Sequence, residues 1–409
     1  MKKIVAFLSF LFFLTLPLLL NSSFVLAANG QGRVPGRVLV KFKDGSAQND
    51  VNLQIRGNNA TVVDKIKALD ILVLKVPESA EDKVANTLSK NPRVEYAEPD
   101  YYAQALWTPN DTYFGNQWGL NNTGQKVLGV VGVVDADIDA VEAWDVTKGG
   151  VKVAILDTGI DNNHEDLAGQ VILSKDFTGS ASGTNDLYGH GTHVAGIVAA
   201  VTGNGMGVAG VCPNCKLLNI KVLNDSGYGA YSWVASGITW AADNGAKVIN
   251  MSLGGSASSK TLEKAVNYAW GKSVVLVGAA GNSGNQSKTY PGAYTNVIAV
   301  AATDNKDKKA SFSEYGSKWV DIAASGVNVF STFPNHKYAL KKALNYDYGS
   351  GTSMSTPMVS GVAGLVWSIP SYGTSATAVR ARIESTADHI AGTGTYWSAG
   401  RVNAFNAVK

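Results

Sequence analysis

Three short stretches of this chain set a reactive side chain beside glycine. Asp157 lies in the run 154–159 (AILDTG), His190 in 189–196 (GHGTHVAG) and Ser353 in 351–357 (GTSMSTP). Glycine lets a backbone turn sharply and lets a second chain approach it closely. A serine hydroxyl is a weak nucleophile until a base takes its proton, and an imidazole does this best when a carboxylate fixes its tautomer. Ser353, His190 and Asp157 supply those three roles, and the chemistry they would perform is acyl transfer through a covalent intermediate. Asn282 follows a Gly-Ala-Ala-Gly run at 278–281. Its amide could donate to the oxyanion of such a reaction, with the backbone N–H of Ser353 as the second donor.

Each residue also has a plainer reading. A strand ending in Asp-Thr-Gly is often only a turn. The same tripeptide marks aspartic proteases, but these are all-β and need a second such motif or a dimer, which the alternating pattern below does not suit. His193 competes with His190 as the base, or the two could share a metal, although no His-Glu-x-x-His pattern supports zinc. His164, His336 and His389 have no comparable context and read as surface or structural residues. The non-enzymatic alternative is a catalytically inactive binding protein of the same fold, against which every catalytic position stands filled.

Positioning these groups requires a rigid frame, and the pattern from residue 151 onward supplies one. Apolar strands are expected at 151–156, 216–222, 246–251 and 273–277, with helices at 190–201, 230–244 and 261–270, the middle one stopped by Gly245. Uninterrupted apolar strands alternating with helices imply a doubly wound α/β fold, a parallel sheet with helices on both faces. Catalytic groups in such sheets gather beyond the carboxyl ends of the strands. Before this region, strand-like runs at 36–42, within 66–76 and at 94–102, with helical spacing at 80–90, indicate a small separate α+β domain.

The chain order Asp, His, Ser differs from that of chymotrypsin-type and α/β-hydrolase triads and is that of subtilisin. The three motifs, with 108–114 (TPNDTYF), 250–255 (NMSLGG), 278–282 (GAAGN) and 392–397 (GTGTYW), resemble the subtilisin-like serine proteases, in particular their thermitase-like members, over about 107–409. Residues 28–106 are similar to the inhibitory propeptide of that family, for which the resemblance implies a ferredoxin-like fold acting as intramolecular chaperone and inhibitor. It further implies a secreted, self-processed endopeptidase of broad specificity and selects His190 over His193. Ser252, Leu253 and Gly254 would form one wall of the primary specificity pocket, Ala279 and Gly281 the other, with Thr289 near its base. Gly227 would begin an edge that pairs with an extended peptide, and Tyr231 with Leu253 would hold the fourth residue before the cut. These segments contain no acid, which argues for cleavage after apolar or aromatic residues rather than strictly basic ones. The same resemblance implies structural Ca2+ held by Asp111 and Asp166, by backbone oxygens among Val201, Met206 and Val208, and by the Asn204 side chain. The second calcium site of the thermitase-like members is doubtful here, because 176–185 lacks most of the acids expected.

Composition limits the partners. With 35 basic and 32 acidic side chains among 409 residues and a formal net charge of +3, there is no bulk excess to follow a phosphate backbone, and nucleic acid is not expected. Polypeptides are the expected substrates, and a monomer the expected state. The start is Met-Lys-Lys, followed by an apolar run from 4 to 20 and small residues near Ala27. This reads as a secretory signal over 1–27, the alternative being a membrane anchor; after its removal no membrane association is expected. Maturation is expected between Leu106 and Trp107. Cys212 and Cys215 are the two cysteines, too few for a disulfide framework or a four-thiolate zinc site. Export would allow a local disulfide between them, the other reading being two idle thiols.

Overall fold

The computed structural model describes residues 33–101 and 107–409, which form two compact units. Ala27, the signal segment and Leu106 lie outside the described residues.

The first unit runs β1 (Arg33–Phe42), α1 (Gln48–Gly57), β2 (Thr61–Ile66), β3 (Ile71–Lys75), α2 (Glu81–Ser89) and β4 (Val94–Tyr101). Its sheet has the order β2-β3-β1-β4, with antiparallel pairings throughout. This is the βαββαβ arrangement of ferredoxin-like domains. Val38, Val40, Leu74, Val84 and Leu88 pack between the sheet and its helices. The sequence reading overlooked α1 and β2. Only Val51 and Ile55 of α1 are buried and every residue of β2 is exposed, so neither carries a continuous apolar stripe.

The second unit is built on a seven-stranded sheet of order β13-β12-β11-β10-β7-β9-β8. A short hairpin of β5 (Lys126–Val127) and β6 (Val130–Val131) and helix α3 (Ala140–Val146) precede it. The sheet strands are β7 (Lys152–Asp157), β8 (Val171–Asp176), β9 (Lys216–Lys221), β10 (Val248–Met251), β11 (Val275–Ala279), β12 (Ile298–Thr303) and β13 (Ile322–Ser325). All their pairings are parallel. Helices α4 (His190–Ala199), α5 (Tyr231–Asp243) and α6 (Lys260–Gly271) connect strands; β14 (Val329–Thr332) and β15 (Tyr346–Gly349) form a second hairpin, followed by α7 (Thr352–Trp367), α8 (Ala376–Ser385) and α9 (Ala404–Val408).

The uniform hydrophobicity of β7 follows from its position. Val153 and Ile155 enter the core made with α4 and α7, while Ala154 and Leu156 enter the opposite core made with α5 and α6. A central parallel strand therefore has no solvent face on which polar residues could alternate. From β7 the chain fills one side with β8 and β9, then crosses to β10 and continues outward to β13. The crossing leaves a crevice beyond the carboxyl ends of β7 and β10, the usual place for a site in such sheets.

Cys212 and Cys215 form a disulfide, and both are fully buried. The bridge lies where Gly149 and Gly364 approach: a Cβ on either would come within 2.1 and 2.8 Å of a sulfur. Among the described residues no helix is long and apolar enough to cross a membrane.

Candidate active site

Asp157 is the last residue of β7 and is fully buried. Its Oδ1 accepts the backbone N–H of Thr158 at 2.8 Å and stands 2.7 Å from His190 Nδ1. With Nδ1 as the donor, His190 Nε2 is left free to accept a proton. His190 is the first residue of α4, preceded by Gly189 in the left-handed region (φ 103°), where a Cβ would strike the Tyr338 ring at 2.3 Å. Burial disfavours the imidazolium, but the charge of Asp157 and its hydrogen bond outweigh this, and the His190 pKa lies above the ordinary histidine value. His193 faces the interior, 4.6 Å from the Phe333 ring, where burial and the nearby His190 push it down to about 3. It is a poor base at neutral pH.

A second buried carboxylate organises this corner. Asp186 accepts the backbone N–H groups of Gly189 (2.7 Å) and Thr192 (2.8 Å) and the hydroxyls of Thr192 (2.7 Å) and Thr158 (2.8 Å). It fixes the first turn of α4, where free N–H groups and the helix dipole favour an anion. Sequence reasoning missed it, because an acid in an Asn-Asp-Leu-Tyr stretch looks like any turn residue.

Ser353 sits in the first turn of α7, half-buried, with its Oγ donating to Ser252 O at 3.2 Å. The helix contains Pro357, which has no N–H to give to the carbonyl four residues back. That carbonyl belongs to Ser353, and Ser252 Oγ donates to it instead at 2.8 Å. Ser252 Oγ in turn accepts from Asn250 Nδ2 at 3.0 Å, and Asn250 Oδ1 accepts from Ser360 Oγ at 2.8 Å. The proline therefore frees an acceptor through which α7 is bolted to the end of β10.

Asn282 follows β11, and its Oδ1 accepts both the N–H (2.9 Å) and the hydroxyl (3.0 Å) of Thr352. This network orients the amide with Nδ2 toward the cleft. A Cβ built on Gly351 would lie 3.5 Å from Asn282 Nδ2 and 3.6 Å from Ser353 N. Asn282 Oδ1 lies 3.7 Å from the same point, so the two nitrogens stand near one position in front of Gly351, where both could serve a developing oxyanion once substrate is bound.

Two cavities flank these groups and share Leu253 and Gly254. One, of about 450 Å³, is lined by Gly254, Ala279, Gly281, Asn282, Thr289 and Ser353. The other, of about 300 Å³, brings together His190, Gly227, Tyr231, Ser252 and Leu253. Residues 227–229 have no strand partner. The pocket segments named from the sequence contribute no acid, but the first cavity does contain one. Glu314, from outside the segments considered in the sequence, lines it and accepts the Thr289 hydroxyl at 2.8 Å.

Asp111 and Asp166, both buried, meet one loop. Gly203 N donates to Asp111 (2.8 Å to Oδ2), while Val208 N (2.7 Å) and Asn204 Nδ2 (2.8 Å) donate to Asp166. Neither acid has a Lys or Arg partner, and the carbonyls of Val201, Met206 and Val208 accept no hydrogen bond among the described residues. Asn204 Oδ1 is engaged with Met206 N at 2.8 Å. No three His, Cys, Asp or Glu side chains gather as a ligand set among the described residues. Two carboxylates with unused carbonyl oxygens fit a hard cation such as calcium rather than a transition metal. Trp107 lies beside this loop, its ring 5.8 Å from that of Trp144 and under Lys148 Nζ.

Comparison with known proteins identifies the family. The Subtilase family pattern matches residues 148–403, and that of the fervidolysin N-terminal prodomain matches 23–100. The chain is 45% identical over 381 residues to a thermophilic serine proteinase of Bacillus sp. strain AK1, covering 92% of this chain and 88% of the relative. It is 51% identical over 305 residues to thermitase of Thermoactinomyces vulgaris, covering 74% of this chain and all of the relative. Among solved structures, a protease from Pseudoalteromonas arctica PAMC 21717 superposes with a TM-score of 0.65 at 33% identity, over 74% of this chain and 99% of that one. The chain therefore belongs to the subtilase family: it is a subtilisin-like serine endopeptidase with an N-terminal prodomain.

Proposed function

We propose that the chain is a secreted endopeptidase of broad specificity that cuts polypeptides through Ser353, His190 and Asp157. The observation that carries this reading is the 2.7 Å approach of Asp157 Oδ1 to His190 Nδ1, in the crevice that Ser353 and Asn282 also face. Rotation about χ1 frees Ser353 Oγ from Ser252 O; His190 Nε2 takes its proton as Oγ attacks the substrate carbonyl carbon. The carbonyl oxygen becomes an oxyanion held by Asn282 Nδ2 and Ser353 N–H. His190 then protonates the leaving amine, and a water repeats the sequence in reverse order to release the acid. The cavity bounded by Gly254, Ala279 and Gly281 takes the side chain before the scissile bond. Gly254, Ala279 and Gly281 give it small walls that suit apolar and aromatic groups.

Residues 1–27 are a signal peptide, 28–106 the propeptide and 107–409 the mature monomeric enzyme, which cuts its own junction near Leu106-Trp107. Calcium held by Asp111, Asp166, Asn204 and carbonyls of Val201, Met206 and Val208 is structural: when bound it neutralises the two acids and ties the new N-terminus to the body. The test is a fluorophosphonate probe followed by peptide mapping. The label should fall on Ser353, and both label and peptidase activity should vanish in Ser353→Ala. Labelling elsewhere, or activity that survives the substitution, would refute the assignment.

A further inference from the structure

Glu314 is 4% exposed, yet its carboxylate faces a cavity. Its backbone N–H donates to Gly281 O at 3.0 Å, which anchors it behind one wall. Its Oε2 accepts the Thr289 hydroxyl and occupies the space that a side chain at Gly281 would need, 1.4 Å from a Cβ built there. No Lys, Arg or His pairs with it among the described residues. Lys288 is the one other charged side chain lining the cavity, exposed and without an ion pair to Glu314. A carboxylate held by neutral hydroxyls in a confined pocket lacks a counter-charge. A bound side chain that expels water makes this worse unless it brings a positive charge.

We propose that Glu314 is a specificity determinant that lets this pocket take a lysine or arginine side chain before the scissile bond, in addition to apolar and aromatic ones. The inference rests on the reading of this cavity as the primary pocket. A Lys or Arg side chain lays its methylene stem along Gly254 and Ala279 and ends with donors directed at Glu314 and Thr289. An aromatic group instead favours the protonated acid. Burial already raises the Glu314 pKa, so the balance between the two substrate classes should change with pH, the basic class gaining as the carboxyl ionises.

The experiment measures kcat/KM on two peptides that differ only in Lys or Phe before the cut, from about pH 5 to about pH 9. His190 titrates in the same range but acts on both substrates, so it cancels in the Lys:Phe ratio. Wild type should cleave both, with a ratio rising with pH. Glu314→Gln should lower the ratio at least about tenfold at the alkaline end and remove its pH dependence. Lys288→Ala should raise it. A ratio within about twofold of wild type in Glu314→Gln would overturn the proposal; if that variant does not mature, a flat wild-type ratio overturns it equally. The underlying reading is tested separately by Gly254→Val, since even a Cβ there would meet Thr289 Cγ2 at 2.3 Å. If this variant cleaves the Phe peptide as wild type does, the cavity is not the primary pocket.

Discussion

Asp157 does two things to His190: it fixes which nitrogen is free and makes the ring harder to deprotonate. The second has a measurable sign. The base must be neutral to work, and its pKa is raised, so kcat/KM should fall as pH drops through a value above the ordinary 6.5 or so of histidine. Asp157→Asn removes the charge that raises it. The acid limb should move to lower pH, while kcat falls by about 10⁴-fold because the amide favours the wrong tautomer. An unmoved acid limb in that variant would assign it to another group. Gly351 gives a second test at this scale. Its φ of 151° disfavours a side chain, and the methyl of Gly351→Ala would stand between Asn282 Nδ2 and Ser353 N. The variant should lose about 100-fold or more in kcat, the size expected when an oxyanion donor is lost, with a smaller change in KM. Asp157, His190, Ser353 and Asn282 could be picked out from the sequence because each lies in a short motif. Asp186 and Glu314 could not. Their importance comes from which backbone and cavity they meet across the fold, and nothing in their neighbours announces that.

The same division appears among the elements. The reading placed β7, β9, β10 and β11 within about two residues, because strands covered on both faces are written as apolar runs bounded by turn residues. Strand β12, Ile-Ala-Val-Ala-Ala-Thr, is equally buried but rich in alanine, which favours helix as readily, and it went unnoticed. In α7 the proline leaves the Ser353 carbonyl without its helical donor; the compensation by Ser252 is a tertiary contact and invisible locally. The loop after α4 gives this scale its prediction. A bound ion stabilises only the state that binds it, by about 2.7 kcal/mol at a hundredfold excess over Kd. Chelation should therefore shorten the thermal inactivation half-life. Asp111→Asn and Asp166→Asn should flatten the dependence of that half-life on calcium while leaving initial turnover at low temperature close to wild type. An unchanged calcium dependence in both variants would show that the acids serve only to cap the loop.

At the scale of the whole molecule, the chain divides into two compact units with separate hydrophobic cores. If the enzyme cuts its own junction, purified Ser353→Ala should keep the mass of the precursor, and added active enzyme should restore cleavage near Trp107. Maturation of Ser353→Ala alone at the wild-type rate would instead place the cutting activity in another protein. The peptidase site itself is assembled from the ends of β7 and β11 and the starts of α4 and α7, and this sets a schedule. A ribosome adding about 5–20 residues per second finishes Asp157 and His190 on the order of ten seconds before it reaches Ser353. In the folded chain α7 is held both by Val359, Val362 and Val366 in the core and by Ser252. On the proposed triad, the growing chain holds the base without the nucleophile throughout that interval, and so could not cut its neighbours or its own unfinished loops. With that triad, the order of residues along the polypeptide would act as a time lock, withholding the nucleophile until synthesis is nearly complete.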